Sequence, residues 1–260
     1  WCDAADSALV AAKKTSEGGM STYYLSYNKE MTAQYISDVA YWARKYHLAA
    51  SEIEEIVLEG EDKATIYQVR FASGFVVQAL SSKPSNLRSK KGRVRIDEAA
   101  FVEDLPEQLK AAIALTMWGG DVAVMSTHNG EDNDFNTLIQ DIRAGRLDYS
   151  LHRVTLDDAL EQGLYKAICR EKQAMAGSEE ERAALTWSPE AEADWREKLI
   201  KRYGDGADEE LFCIPSRSGG AYLPRSIIEN AMRPDIPVLR WSPPAKDFVD
   251  WSDDRRYRDM

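Results

Sequence analysis

Two consecutive carboxylates, Asp97 and Glu98, stand at the end of a short strand pattern, Arg93-Val94-Arg95-Ile96, and are followed by Ala99, Ala100 and Phe101. This is the form of a Walker B segment. A parallel strand delivers its last residues to the carboxyl edge of a sheet, where phosphates and a divalent cation are held. In such a site the first acid, Asp97, holds Mg²⁺ through its water shell, because Mg²⁺ keeps several waters and takes few protein ligands. The second acid, Glu98, orients and polarises an attacking water. An acidic pair also suits the first turn of any helix, where it meets the positive end of the macrodipole. The dipeptide alone therefore does not decide between the two.

A second polar loop adds weight. The apolar pattern Asp121-Val122-Ala123-Val124-Met125 runs into Ser126-Thr127-His128-Asn129-Gly130. Adjacent parallel strands end at one crevice, so this loop is placed to feel a γ-phosphate and transmit its loss. Ordinary turn chemistry explains the same residues, since Ser and Thr cap helices and Asn-Gly favours tight turns.

Taken together, these segments resemble the large terminase subunit of Mu-like bacteriophages. The resemblance is carried by Ser85-Asn86-Leu87-Arg88, by RVRIDEAAF from 93 to 101, by MWGG from 117 to 120 and by STHNGEDN from 126 to 133. RAGRLDYSLHRVTLDDAL from 143 to 160 and DEELFCIP from 208 to 215 extend it, and it covers roughly residues 1 to 240. It implies a three-layer αβα, P-loop NTPase-like fold of the additional-strand class, with a mainly parallel sheet and a small helical lid. It implies an ATPase, using ATP and Mg²⁺, that packages double-stranded DNA into an empty viral head. The implied partners are the DNA, the portal protein, the small terminase subunit and further copies of the chain in a ring, with no membrane, in the cytoplasm of a bacterial host. Asp97 and Glu98 match the family's Walker B acids, and Ser126, Thr127 and Asn129 its coupling motif. Arg88 lies where such motors can place an arginine that reaches a neighbouring subunit's nucleotide. It also reads as one member of a solvated basic loop.

Two departures bear on activity. No G-x-x-x-x-G-K-[ST] occurs, and Lys13-Lys14-Thr15 lacks the preceding glycines and follows a helix. The expectation is a fragment whose phosphate cradle lies upstream of Trp1 and which stops near the start of its nuclease domain. Asp247, Asp250, Asp253 and Asp254 sit in a proline-flanked polar tail, a poor metal site. A catalytically silent, partner-binding fragment and a helicase-like ATPase are the competing readings.

The elements that must position these residues follow from periodicity. Helices are expected from Trp1 to about Lys14, from Asn28 to about Tyr46, behind Leu105 to Met117, from about Phe135 to Ala144, after an Asp157 cap, and from Ser188-Pro189. Strands are expected at 21–27, 64–71, 75–80, 93–97, 121–125 and 150–155, with 53–60 ambiguous. This alternation predicts residues 1–156 as an α/β core and 157–215 as a helical lid, and the resemblance makes 216–260 a linker and the start of a truncated nuclease region. The tail's only strand pattern is Ile236 to Trp241.

Composition sets the outer bounds. The chain has 260 residues, 44% of them hydrophobic, which is ample for one large core or two smaller ones. A net charge of -11 argues against general DNA coating. A local strip of Lys83, Arg88, Lys90, Lys91, Arg93 and Arg95 remains able to meet phosphates. Cys2, Cys169 and Cys213, like His47, His128 and His152, are scattered, which disfavours a disulfide framework or a zinc site.

Overall fold

The computed structural model describes residues 2–57, 65–81, 87, 90–217, 251 and 255. Residues 1–220 form one unit and 221–260 a second. In the second, the Arg255 guanidinium lies over the Trp251 ring at 3.7 Å. Arg88, Lys83, the strand expected at 236–241 and the tail aspartates fall outside the described residues.

In the first unit, β1 (Thr22–Ser26), β2 (Glu54–Val57), β3 (Thr65–Arg70), β4 (Val76–Ser81), β5 (Arg93–Ile96) and β6 (Val122–Val124) form one sheet in the order β2-β3-β4-β1-β5-β6. Strands β4, β1, β5 and β6 are parallel, while β2 and β3 add antiparallel at one end. The β3–β4 turn falls at Ala72-Ser73-Gly74, where Gly74 takes the positive φ that this turn needs. The fold is thus α/β with a mostly parallel sheet.

Burial on both faces explains why β1 lacks polar alternation, whereas β5 alternates Arg93 and Arg95 with Val94 and Ile96. Register sets Tyr24 beside Arg95 and Leu25 beside Ile96. The face with Tyr24, Val69, Val77 and Ala79 packs under α1 (Cys2–Ala12) and α2 (Lys29–Lys45), through Ala4, Ala8, Ile36 and Val39. The opposite face, with Leu25, Leu80, Val94 and Ile96, packs under α3 (Leu105–Thr116) and α4 (Asp134–Arg143). Three layers result.

Several expectations shift. Residues 150–155 are not a strand; they run without ladder pairing. Helix α5 (Leu156–Glu161) is capped by Thr155, not Asp157, in a capping box with Asp158. Gly163, at positive φ, separates it from α6 (Leu164–Met175). Helical periodicity sets Tyr46 on the apolar stripe of α2 and Ile113 and Met117 on that of α3, yet all three are exposed, and Gln108 and Leu115 take buried places on α3. Two short helices, α7 (Glu179–Ala184) and α9 (Ala207–Phe212), flank α8 (Pro189–Tyr203), which starts at the expected Ser188 cap. Neither α7 nor α8 buries a residue; α8 meets α5 through the Arg196–Asp157 ion pair at 2.6 Å and α6 through the Trp195 and Tyr165 rings, 5.1 Å apart.

Candidate active site

Asp97 leaves β5 with its amide still donating to Leu25 O of β1 at 2.9 Å. Its carboxylate is held on both oxygens: Oδ2 accepts from the Tyr24 hydroxyl at 2.6 Å, and Oδ1 from the Glu98 amide at 3.0 Å. Below it, an ion-pair cluster anchors the strand to α1. Arg95, almost fully buried, donates to Asp3 at 2.7 Å and Asp121 at 3.1 Å, and Arg93 reaches Asp6 at 2.7 Å and Asp121 at 2.9 Å. These partners hold Asp121 below the ordinary carboxylate range, against burial that pushes it up. Arg93 and Arg95 therefore leave the basic strip: their charge is spent within the fold.

Glu98 turns the chain. Its φ of 51° and ψ of 45° are left-handed, a conformation that costs a non-glycine residue roughly 1–2 kcal/mol. Neighbours impose it. Phe101 N donates to Glu98 O at 2.9 Å, Ala99 N to Met125 O at 3.1 Å, and Ala100 N to Ser126 Oγ at 3.1 Å. The Glu98 carboxylate meets the Ser126 hydroxyl at a long 3.5 Å. Burial pushes its pKa up, helped by the negative charges of Asp97 and Glu210, and Ser126 offsets part of this.

The loop after β6 joins the same turn. Asn129 and Asn133 both donate to Ala100 O, at 3.4 and 2.6 Å. Asn133 also caps α4. Thr127 is half-buried on this loop, and Asn129 is exposed. The structure thus brings Asp97, Glu98, Ser126 and Asn129 together. It adds residues the sequence did not suggest. Glu209 of α9 accepts from Gly130 N at 2.6 Å and Ser216 N at 2.9 Å, and these bonds draw its pKa below the ordinary value against burial. His128 is buried against Phe135, its Nδ1 without a partner among the described residues, and burial lowers its pKa.

No family model matches the chain. It is 47% identical over 259 residues to the Mu-like prophage FluMu protein gp28 of Haemophilus influenzae, covering 98% of this chain and 49% of that one. It is 48% identical over 253 residues to the probable terminase, large subunit gp28, of Escherichia phage Mu, covering 94% of this chain and 44% of that one. The chain is thus a homologue of the gp28 proteins of Mu-like phages, one of which is named a probable large terminase subunit. It spans about half the length of these gp28 relatives. The large terminase ATPase domain of Thermus phage P74-26 is a further similar structure, at a TM-score of 0.31 and 18% identity over 43% of this chain and 49% of that one.

For a gp28-type chain the donor set at the sheet edge is informative. Among the described residues no group of three or more His, Cys, Asp or Glu could hold a metal. Two adjacent carboxylates and a hydroxyl are all hard oxygen donors, and a water-shelled Mg²⁺ needs no larger set. The residues present therefore fit an outer-sphere cation at Asp97. Of the basic residues, Lys90 lies over the Tyr23 ring at 4.8 Å and donates to Gln78, and burial lowers its pKa. Lys91 is exposed and lies over the Trp118 ring at 4.2 Å. Both precede β5, at the end of the strand opposite to Asp97.

Proposed function

We propose that this chain is the ATP-hydrolysing motor region of a terminase large subunit, which drives double-stranded viral DNA into a prohead. The observation that carries the reading is the convergence of Asp97 and Glu98 with the Ser126 loop at the carboxyl edge of a parallel sheet. Asp97 would hold the hydrated Mg²⁺ of Mg-ATP, which supplies charge neutralisation to the phosphates when bound. Glu98, whose carboxylate is met by the Ser126 hydroxyl at a long 3.5 Å and whose pKa is raised by burial, is suited to accept a proton from a positioned water. Ser126, Thr127 and Asn129 form the loop that would register hydrolysis, and the Glu209 clamp would carry that state to the helical stretch 157–215, read here as a lid. Arg88 is assigned to a neighbouring subunit's nucleotide in a ring. Lys83, Lys90 and Lys91 are assigned to DNA. The portal, the small subunit and the host cytoplasm complete the setting.

The second reading, a silent partner-binding chain, is favoured for the 260 residues in isolation by their lack of a G-x-x-x-x-G-K-[ST] sequence. Purified alone, the chain is expected to turn over no ATP and to nick no plasmid in Mg²⁺ or Mn²⁺. In a gp28-length protein carrying these residues, DNA-stimulated ATP turnover is expected and should fall at least ~10²-fold on Glu98→Gln. Turnover at the parental rate in that variant would overturn the proposal.

A further inference from the structure

Tyr24 sits in the middle of β1, 2% exposed, where its aromatic ring reads as ordinary strand composition. Its hydroxyl does something more specific. Asp97 lies two residues beyond Arg95, the register partner of Tyr24, and so returns to the same face of the sheet. The phenol reaches along that face to donate to Asp97 Oδ2 at 2.6 Å. The ring cannot swing away, because it stacks on Tyr35 of α2 with centroids 3.8 Å apart and planes 10° apart. Tyr35 is fixed in turn. Its hydroxyl donates to Asp3 Oδ2 at 2.7 Å and meets Ser7 Oγ at 2.8 Å, and Asp3 accepts from Arg95 at 2.7 Å.

We infer that Tyr24 is the positioning residue for Asp97, fixing the plane of its carboxylate for an outer-sphere cation. This rests on the reading of Asp97 as the metal-holding acid. The physical reason is geometric. A carboxylate on a short side chain can rotate about its last bond, and each orientation presents a different pair of lone pairs. With Oδ2 held by the phenol and Oδ1 by the Glu98 amide, one plane remains. Each oxygen still has a lone pair for a metal-bound water. Through the stacked Tyr35 and Asp3, the seat of α1 and the orientation of Asp97 become one unit.

The test uses Tyr24→Phe, which keeps the stack and removes only the donor. In the purified chain, hydrogen exchange at the Glu98 amide should speed up about tenfold or more as Asp97 turns, while the Leu25 and Ile96 amides keep their protection. Unchanged Glu98 exchange overturns the inference. A second measurement needs no change at Tyr24. Its slowly exchanging hydroxyl proton should appear far downfield in the parent and move upfield in Asp97→Asn; a resonance that does not move counts equally against it. In the gp28-length protein, Tyr24→Phe should raise the Mg²⁺ concentration for half-maximal turnover several-fold with kcat little changed, and add nothing in the Asp97→Asn background. If Asp97→Asn leaves the Mg²⁺ dependence untouched, the metal reading of Asp97 fails, and the two measurements on the chain alone decide whether Tyr24 positions it.

Discussion

Asp97 has both carboxylate oxygens engaged, by the Tyr24 hydroxyl and the Glu98 amide, whereas the Glu98 carboxylate meets the Ser126 hydroxyl at 3.5 Å. The first is an extension of the sheet, backed by the buried Arg95 and its aspartates. The second rides on a left-handed turn whose supports come from the loop after β6, and that loop is gripped by Glu209 from α9. The contrast suits the two tasks. A group that holds a cation's water shell gains from a fixed orientation. A group that takes a proton gains from free lone pairs and a raised pKa, and it must answer to a loop that can change state. Strain at a functional turn fits the same division, because it persists only where surroundings over-determine the backbone.

The sheet side should break hardest. Arg95→Met removes the buried member of the cluster, leaving the part-exposed Asp3 to Tyr35 and Asp121 to Arg93, and is expected to lower stability by about 2–4 kcal/mol, read from the denaturant midpoint. A loss under 1 kcal/mol would mean that the cluster does not anchor β5. On the loop side, Glu209→Ala removes an ionised acceptor from two backbone amides and should cost about 1.5–3 kcal/mol. Here the loss should be local, with faster exchange at Gly130 and Ser216 and little change in β1 or β5. Uniform deprotection would erase the distinction between the two sides.

Relief of the turn gives a smaller effect of opposite sign. Glu98→Gly should stabilise the chain by about 1 kcal/mol, because glycine accepts a left-handed backbone without penalty. Destabilisation would show that the turn is not strained. The smallest effect is pH-dependent. The raised pKa of Glu98 means that the folded state binds its proton more tightly than the unfolded chain. Its contribution is favourable below the ordinary Glu pKa and is lost as pH rises through the folded value. Glu98→Gln should therefore stabilise at neutral pH, with the gain vanishing in acid. Equal denaturation midpoints across that range would remove the electrostatic part of the account.

Much of this arrangement is legible in the chain. The rule that parallel strands end at one crevice places Asp97, Glu98 and the Ser126 loop together from the sequence alone. The strip of charges around Arg93 is not legible as it stands. Arg95 reads as part of a strip able to meet phosphates, and only the packing of α1 shows that Asp3 and Asp121 enclose it. Tyr24 carries no local signal, since an aromatic residue in a strand is what β propensity already predicts. Glu209 lies 79 residues from the glycine it holds, a separation that no spacing argument bridges. The strand expected at 150–155 fails for a tertiary reason. Arg153 donates to Phe212 O, and the Cys213 thiol to Val154 O, at 3.3 Å. Those contacts seat the segment against the end of α9, where it lines one wall of a cleft of about 510 Å³ beside β6.

The division between the two acids is tested most directly by measuring Mg-ATP affinity and single-turnover hydrolysis for Asp97→Asn and Glu98→Gln in a gp28-length protein. Glu98→Gln should bind Mg-ATP as the parent does and lose about 10²–10⁴-fold in the chemical step, equivalent to about 3–5 kcal/mol of transition-state stabilisation. Asp97→Asn should weaken Mg-ATP binding as well as turnover. If Glu98→Gln hydrolyses ATP at close to the parental rate, or if both variants lose affinity alike, the assignment of metal-holding and proton-taking roles to Asp97 and Glu98 is wrong.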